Sequence, residues 1–136
     1  MKSIIVSALC AAVLWPAAAA IAAELVIVVN PQNSATRMFP SQAAQFFLGS
    51  STMFTPMEQA PNSSIRTDFC KRVLGMEAPE VRAIWSKIVF TGKGKPPKEF
   101  KSSAEVKKAV SANVDAIGYI EKAEVDDSVK VVASIP

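Results

Sequence analysis

Between Pro61 and Phe69 the sequence reads PNSSIRTDF, which brings together the amide of Asn62, the hydroxyls of Ser63 and Ser64, and the guanidinium of Arg66. At the start of a helix these groups would join the backbone N–H donors that a first turn leaves unpaired, and a partial positive charge of about half a unit. That combination holds oxyanions such as phosphate or sulfate. Arg66 would add a planar fork suited to two parallel hydrogen bonds. The same residues also support a plainer reading, in which Asn62 or Ser63 simply caps a helix.

A second basic group follows: Lys93, Lys95, Lys98 and Lys101, flanked by Phe90 and Phe100. It reads as a solvated loop, or as a patch for an acidic partner, a phosphate-bearing surface or a membrane. Trp85 and Phe90 read as core rather than as stacking platforms. Histidine is absent, which removes the usual general base near neutral pH and the commonest zinc ligand. Asp126 and Asp127 are too sparse for a calcium site. No catalytic residue, metal ligand or cofactor motif is nominated, so an enzyme is the least favoured class.

The elements that must position these groups alternate. ELVIVV (24–29) reads as a buried strand. Pro40 opens a helix through Leu48, with Gly49 as its stop. SSTMFTP reads as a loop and MEQA as a short strand. In the helix after Ser63, Ile65, Phe69 and Val73 recur every four residues and Gly75 follows. Pro79 begins another, with Val81, Ile84, Trp85 and Ile88 on one stripe. TGKGKPPKEFK is predicted to be irregular. Ser102 and Glu105 form a capping box for a helix carrying Val106, Ala109 and Val110. AIGYI reads as a buried strand, EVDDS as a turn and VKVVAS as a last strand. Strands and helices alternating in this way imply an α/β fold around a small sheet.

The first 23 of the 136 residues have the order of a signal peptide: Lys2, an uncharged apolar run, then an alanine-rich stretch with small residues at Ala20, Ala22 and Ala23. An uncleaved anchor is the competing reading, and Pro16 with the alanine tail favours cleavage. Residues 24–136 then form one domain with its own modest core. Loss of Lys2 leaves fourteen basic against twelve acidic residues, a net charge of +2, too mild to imply nucleic acid. Cys70 is then the remaining cysteine and reads as a small buried hydrophobe.

Taken in order, LVIVVNP, FPSQAAQFFLGS, NSSIRTDFCKRVLG and NVDAIGYIEKAEVDDSVKVV resemble the phosphate-type periplasmic substrate-binding proteins of ABC transporters, with DAIGYI similar to that family's GAIGY. The resemblance implies a single lobe of a type II periplasmic-binding-protein-like fold: a small mixed sheet flanked by helices. Such proteins have two lobes with the ligand between them, and this chain resembles one. QAPNSSIR lies over the last part of the family's R-x-D-x-S-G-T-R phosphate motif, matching at Ser63 and Arg66. Gln59 stands where the motif has its first arginine, Pro61 falls on or next to the acidic acceptor's position, and Ser64 and Ile65 replace glycine and threonine.

The resemblance therefore implies an exported, non-catalytic, periplasmic protein that binds phosphate or another small oxyanion weakly, or as a homodimer whose two copies rebuild a cleft. The alternative, from a different class, is an interaction module that has kept the fold, lost the ligand and docks to another envelope protein.

Overall fold

The computed structural model describes residues 24–136; the signal-peptide reading falls on residues 1–23, outside them. In chain order the elements are β1 (Leu25–Val29), α1 (Pro40–Phe47), β2 (Thr55–Gln59), α2 (Ser64–Phe69) with a π-helical extension (Cys70–Leu74), and α3 (Ala78–Phe90). Then come β3 (Lys98–Phe100), α4 (Ser103–Ala112), β4 (Ala116–Glu121), a 3-10 turn (Lys122–Glu124) and β5 (Lys130–Ile135). The strands form one mixed sheet in the order β3-β2-β4-β1-β5. β2 runs parallel to both β3 and β4, whereas β1 is antiparallel to β4 and β5.

Every side chain of β1 is buried, because both faces of the sheet are covered and successive residues point to opposite faces. Leu25, Ile27 and Val29 join the core beneath α1 and α2, with Phe47, Phe69 and Tyr119. Val26 and Val28 join the other face, against Val106 and Val110 of α4. α4 lies so close to β4 that a Cβ on Gly118 would stand 2.7 Å from Val106 Cγ1, which accounts for the glycine in AIGYI.

Four expectations need correction. Lys98–Phe100, within the segment expected to be irregular, is a strand paired with β2, Met57 opposite Lys98 and Gln59 opposite Phe100. An edge strand needs a ladder on one side only, and Pro96 and Pro97 lie just before it, where their missing N–H groups cost nothing. β2 likewise starts at Thr55, inside the expected loop. The inward face of α2 is wider than the four-residue repeat predicts: Arg66, Phe69, Cys70 and Leu74 are buried, and Ile65 and Val73 pack partly buried against the same core.

Phe90 is 92% exposed and not core. At 100° per residue it lies about 180° around α3 from buried Val81. Trp85 does pack, half-buried, and its Nε1–H donates to the Phe47 carbonyl at 2.8 Å. Among the described residues no helix is long and apolar enough to cross a membrane.

Candidate functional site

β2 and β3, adjacent and parallel, each end at the start of a helix. In open α/β sheets this edge, outside the carboxyl ends of the strands, is where ligands bind. Ser63 is the N-cap of α2, with extended backbone (φ −75°, ψ 142°). Its Oγ accepts from the Arg66 N–H at 3.3 Å and donates to the Ala60 carbonyl at 2.8 Å. The Ser63 hydroxyl is therefore spent inside the protein. Asn62 and Ser64 are exposed, and the N–H groups of Ser64 and Ile65, in the first turn, have no helical acceptor.

Ser102 caps α4 in the same way, its Oγ accepting from Glu105 N–H at 3.2 Å. The Glu105 carboxylate accepts from Lys101 N–H at 2.8 Å, one residue before the position a capping box would use. Gln59, at the end of β2, contacts both helices: its carbonyl accepts from Arg66 Nη1 of α2 at 3.0 Å. Its Nε2 donates to the Ser103 hydroxyl and to the Tyr119 carbonyl, both at 3.1 Å.

Arg66 does not stand free at this edge. It is 9% exposed, Nη1 donates to the Gln59 carbonyl at 3.0 Å, and its nitrogens lie 3.6 Å from Glu58 and 3.4 Å from Glu99. Two carboxylates thus face the charge expected to hold an anion. Glu58 is 1% exposed and accepts from the Tyr119 hydroxyl at 2.5 Å, while the Tyr119 ring stacks on Phe69 with centroids 3.8 Å apart. Glu58 Oε1 and Arg66 Nε have no hydrogen-bond partner among the described residues.

Burial raises the carboxyl of Glu58 above the ordinary carboxylate value, and the Tyr119 bond and Arg66 offset this only in part. For Arg66 burial works against the charge, but Glu58, Tyr119 and Glu99 outweigh it and hold the guanidinium more firmly protonated. Burial, with Glu58 behind it, also raises Tyr119 and pushes the buried Cys70 thiol up to about 11. Cys70 is thus a packed, protonated thiol with no nucleophilic character at neutral pH.

Sequence reasoning missed Glu58, Glu99 and Tyr119. A carboxylate inside a strand that itself lies between two others was the available signal for Glu58, since such a position has no route to water. Lys93, Lys95, Lys98 and Lys101 are all exposed. Lys98 is on β3, and Lys101 lies between β3 and the cap of α4, at the same end of the sheet as Ser63; Lys93 and Lys95 belong to the strap after α3. Among the described residues no group of three His, Cys, Asp or Glu side chains is placed to hold a metal ion.

No protein-family model matches the chain, and no curated protein matches it. Solved structures do. One is a proposed phosphate ABC transporter substrate-binding protein with bound phosphate from Clostridium perfringens: TM-score 0.66, 22% identity, covering 81% of this chain and 45% of that one. An ABC-type phosphate transport receptor from Vibrio cholerae gives 0.63 and 22% identity over 81% of this chain and 46% of its own. PstS from Borrelia burgdorferi gives 0.62 and 16% over 82% and 47%. The likeness is one of fold, and the chain spans less than half the length of each of these proteins. The fold expected from the resemblance, a single mixed-sheet lobe flanked by helices, is the one observed.

Proposed function

We propose that this chain is an exported, non-catalytic solute-binding lobe that takes a small oxyanion weakly at the edge formed by the ends of β2 and β3. Residues 1–23 act as the signal peptide and residues 24–136 as the periplasmic lobe. The observation that carries the reading is that two serine-capped helices start at adjacent parallel strand ends, with Gln59 hydrogen-bonded to a residue of each. The fold-level likeness to phosphate-binding proteins supports phosphate as the first anion to try.

On this reading the donors are the N–H groups of Ser64 and Ile65 with the side chains of Asn62 and Ser64. Ser63 shapes the turn, and Arg66 braces the strand end. An anion here meets helix-start donors without an unpaired guanidinium, so its affinity is modest. Charge-assisted hydrogen bonds are each worth about 1.5–3 kcal/mol, and a site short of two of them loses several powers of ten. The opposing wall comes from a second surface: another copy of the chain related by twofold symmetry, or an envelope protein.

Thermal unfolding of residues 24–136 with phosphate and sulfate at matched ionic strength tests this. A specific ligand at about 100 times its dissociation constant adds about 2.7 kcal/mol, a midpoint rise of several degrees for a domain of this size. A rise with phosphate that Ser64→Ala and Asn62→Ala reduce supports the site. No rise with either anion, at low or high protein concentration, would refute it.

A further inference from the structure

α3 and the strap that follows it border two hollows of about 390 and 330 Å³, the larger backed by Arg66 and Glu99. Trp85, Pro96 and Pro97 line both and form the ridge between them. The strap is seated against α3, since a Cβ on Gly94 would stand 3.2 Å from Ile88 Cγ2. Phe90 and Val89 wall the larger hollow and are the exposed apolar residues at the end of α3. Contiguous apolar surface of this kind, with charge at its margin, marks an interaction site more often than an accident of folding.

The charge around it has one sign. Arg82 lines the larger hollow, and Lys93, Lys95 and Lys98 line the smaller one. None of these four has an ion-pair partner among the described residues. The carboxylate that lines either hollow is Glu99, and it faces Arg66 at 3.4 Å. The groove is therefore largely apolar, with Arg82 at the larger hollow and three lysines at the smaller one, none of them ion-paired among the described residues.

We propose that this groove docks an acidic segment of a partner protein. One apolar side chain of the segment sits against Trp85, while flanking carboxylates meet Arg82 at one end and Lys93, Lys95 and Lys98 at the other. The hollows have the size that receives side chains or small ligands, and a recess walled by Trp85 and Phe90 with Arg82 at its side has the residue types enriched at docking hot spots, the lysines adding charge at the rim. A flat anionic bilayer would meet the lysines but leave both hollows unfilled. The larger hollow shares Arg66 and Glu99 as a wall with the strand-end region, but the contacts proposed here, Trp85, Arg82 and the three lysines, are not among the oxyanion donors Asn62, Ser64 and Ile65, so different variants test the two readings.

The test uses the full chain carrying Trp15→Phe, so that Trp85 is its one tryptophan. The probe is a short synthetic peptide with one leucine flanked on both sides by glutamates, read by Trp85 emission and by the anisotropy of a dye on the peptide. Three controls run beside it: the same peptide with alanine for leucine, a lysine-flanked peptide, and vesicles of phosphatidylglycerol in phosphatidylcholine.

Saturable binding that shifts Trp85 emission is expected. It should weaken at least about tenfold when leucine becomes alanine, and again in Arg82→Ala or Lys93→Glu/Lys95→Glu. These residues are exposed, and an unchanged thermal midpoint verifies each variant's fold. Three outcomes overturn the proposal: no peptide binding, binding indifferent to the leucine, or binding to vesicles without binding to the peptide.

Discussion

Replacing Arg66 by alanine separates a structural guanidinium from a ligand-binding one. Arg66 donates to the Gln59 carbonyl at 3.0 Å and is the cation beside buried Glu58. Loss of the first contact leaves a buried carbonyl short of a charged donor, about 1.5 kcal/mol at the low end of such bonds. Loss of the second leaves Glu58 without the charge that partly offsets its burial, so it must take up a proton to remain inside; a similar amount is expected. Glu99 is half-exposed and contributes little. The total, about 3 kcal/mol, falls at the foot of the range for breaking a buried pair by removing one partner. In a domain of this size the midpoint should fall by about 10 °C or more.

The assay is thermal unfolding at neutral pH followed by circular dichroism, with Ser64→Ala as the comparison. Ser64 is exposed, so its variant should stay within about 0.5 kcal/mol of the parent. If Arg66→Ala melted as close to the parent as Ser64→Ala does, the reasoning would fail, and Arg66 would have to be returned to the list of ligand groups.

Glu58→Gln tests the other side of the pair through pH. The folded-state pKa of Glu58 lies above the ordinary 4.5; between those two values the folded protein holds a proton the unfolded chain lacks, so the contribution of Glu58 to stability declines as pH rises through that window. The midpoint difference between parent and Glu58→Gln should drift against the parent as pH rises from about 4.5, and a pH-independent difference would count against a buried, burial-shifted carboxyl. Gly118→Ala should cost about 1–3 kcal/mol in urea unfolding, because the new methyl would meet Val106 at 2.7 Å; a neutral result would mean that α4 gives way easily. Phe90→Ser should leave stability within about 0.5 kcal/mol, as expected of a side chain 92% exposed.

Much of the fold was legible because its signals are local. LVIVV, short and rich in β-branched residues, read most simply as a buried strand, Ser102 with Glu105 marked a helix start, and AIGYI carried the glycine that lets α4 approach. Phe90, expected in the core, is exposed instead, and the signal was present: the wheel that places Val81, Ile84, Trp85 and Ile88 on one stripe places Phe90 opposite. β3 was not, because Lys98–Phe100 has little strand character of its own and becomes one by pairing with β2. The same holds for the site. Ser63 as a cap is a local fact, whereas the neutralisation of Arg66 depends on Glu99 from another strand and on Tyr119, which reaches Glu58 across 61 positions of sequence.

The central claim is that the helix starts at the ends of β2 and β3 receive an oxyanion, and amide chemical shifts during a phosphate titration of residues 24–136 address it most directly. The Ser64 and Ile65 amides should move saturably, with smaller shifts at Ser103 and Ala104 and little change at Lys93 and Lys95. Amides of α2 that stay still while the lysine strap shifts, or no saturable change anywhere, would contradict it.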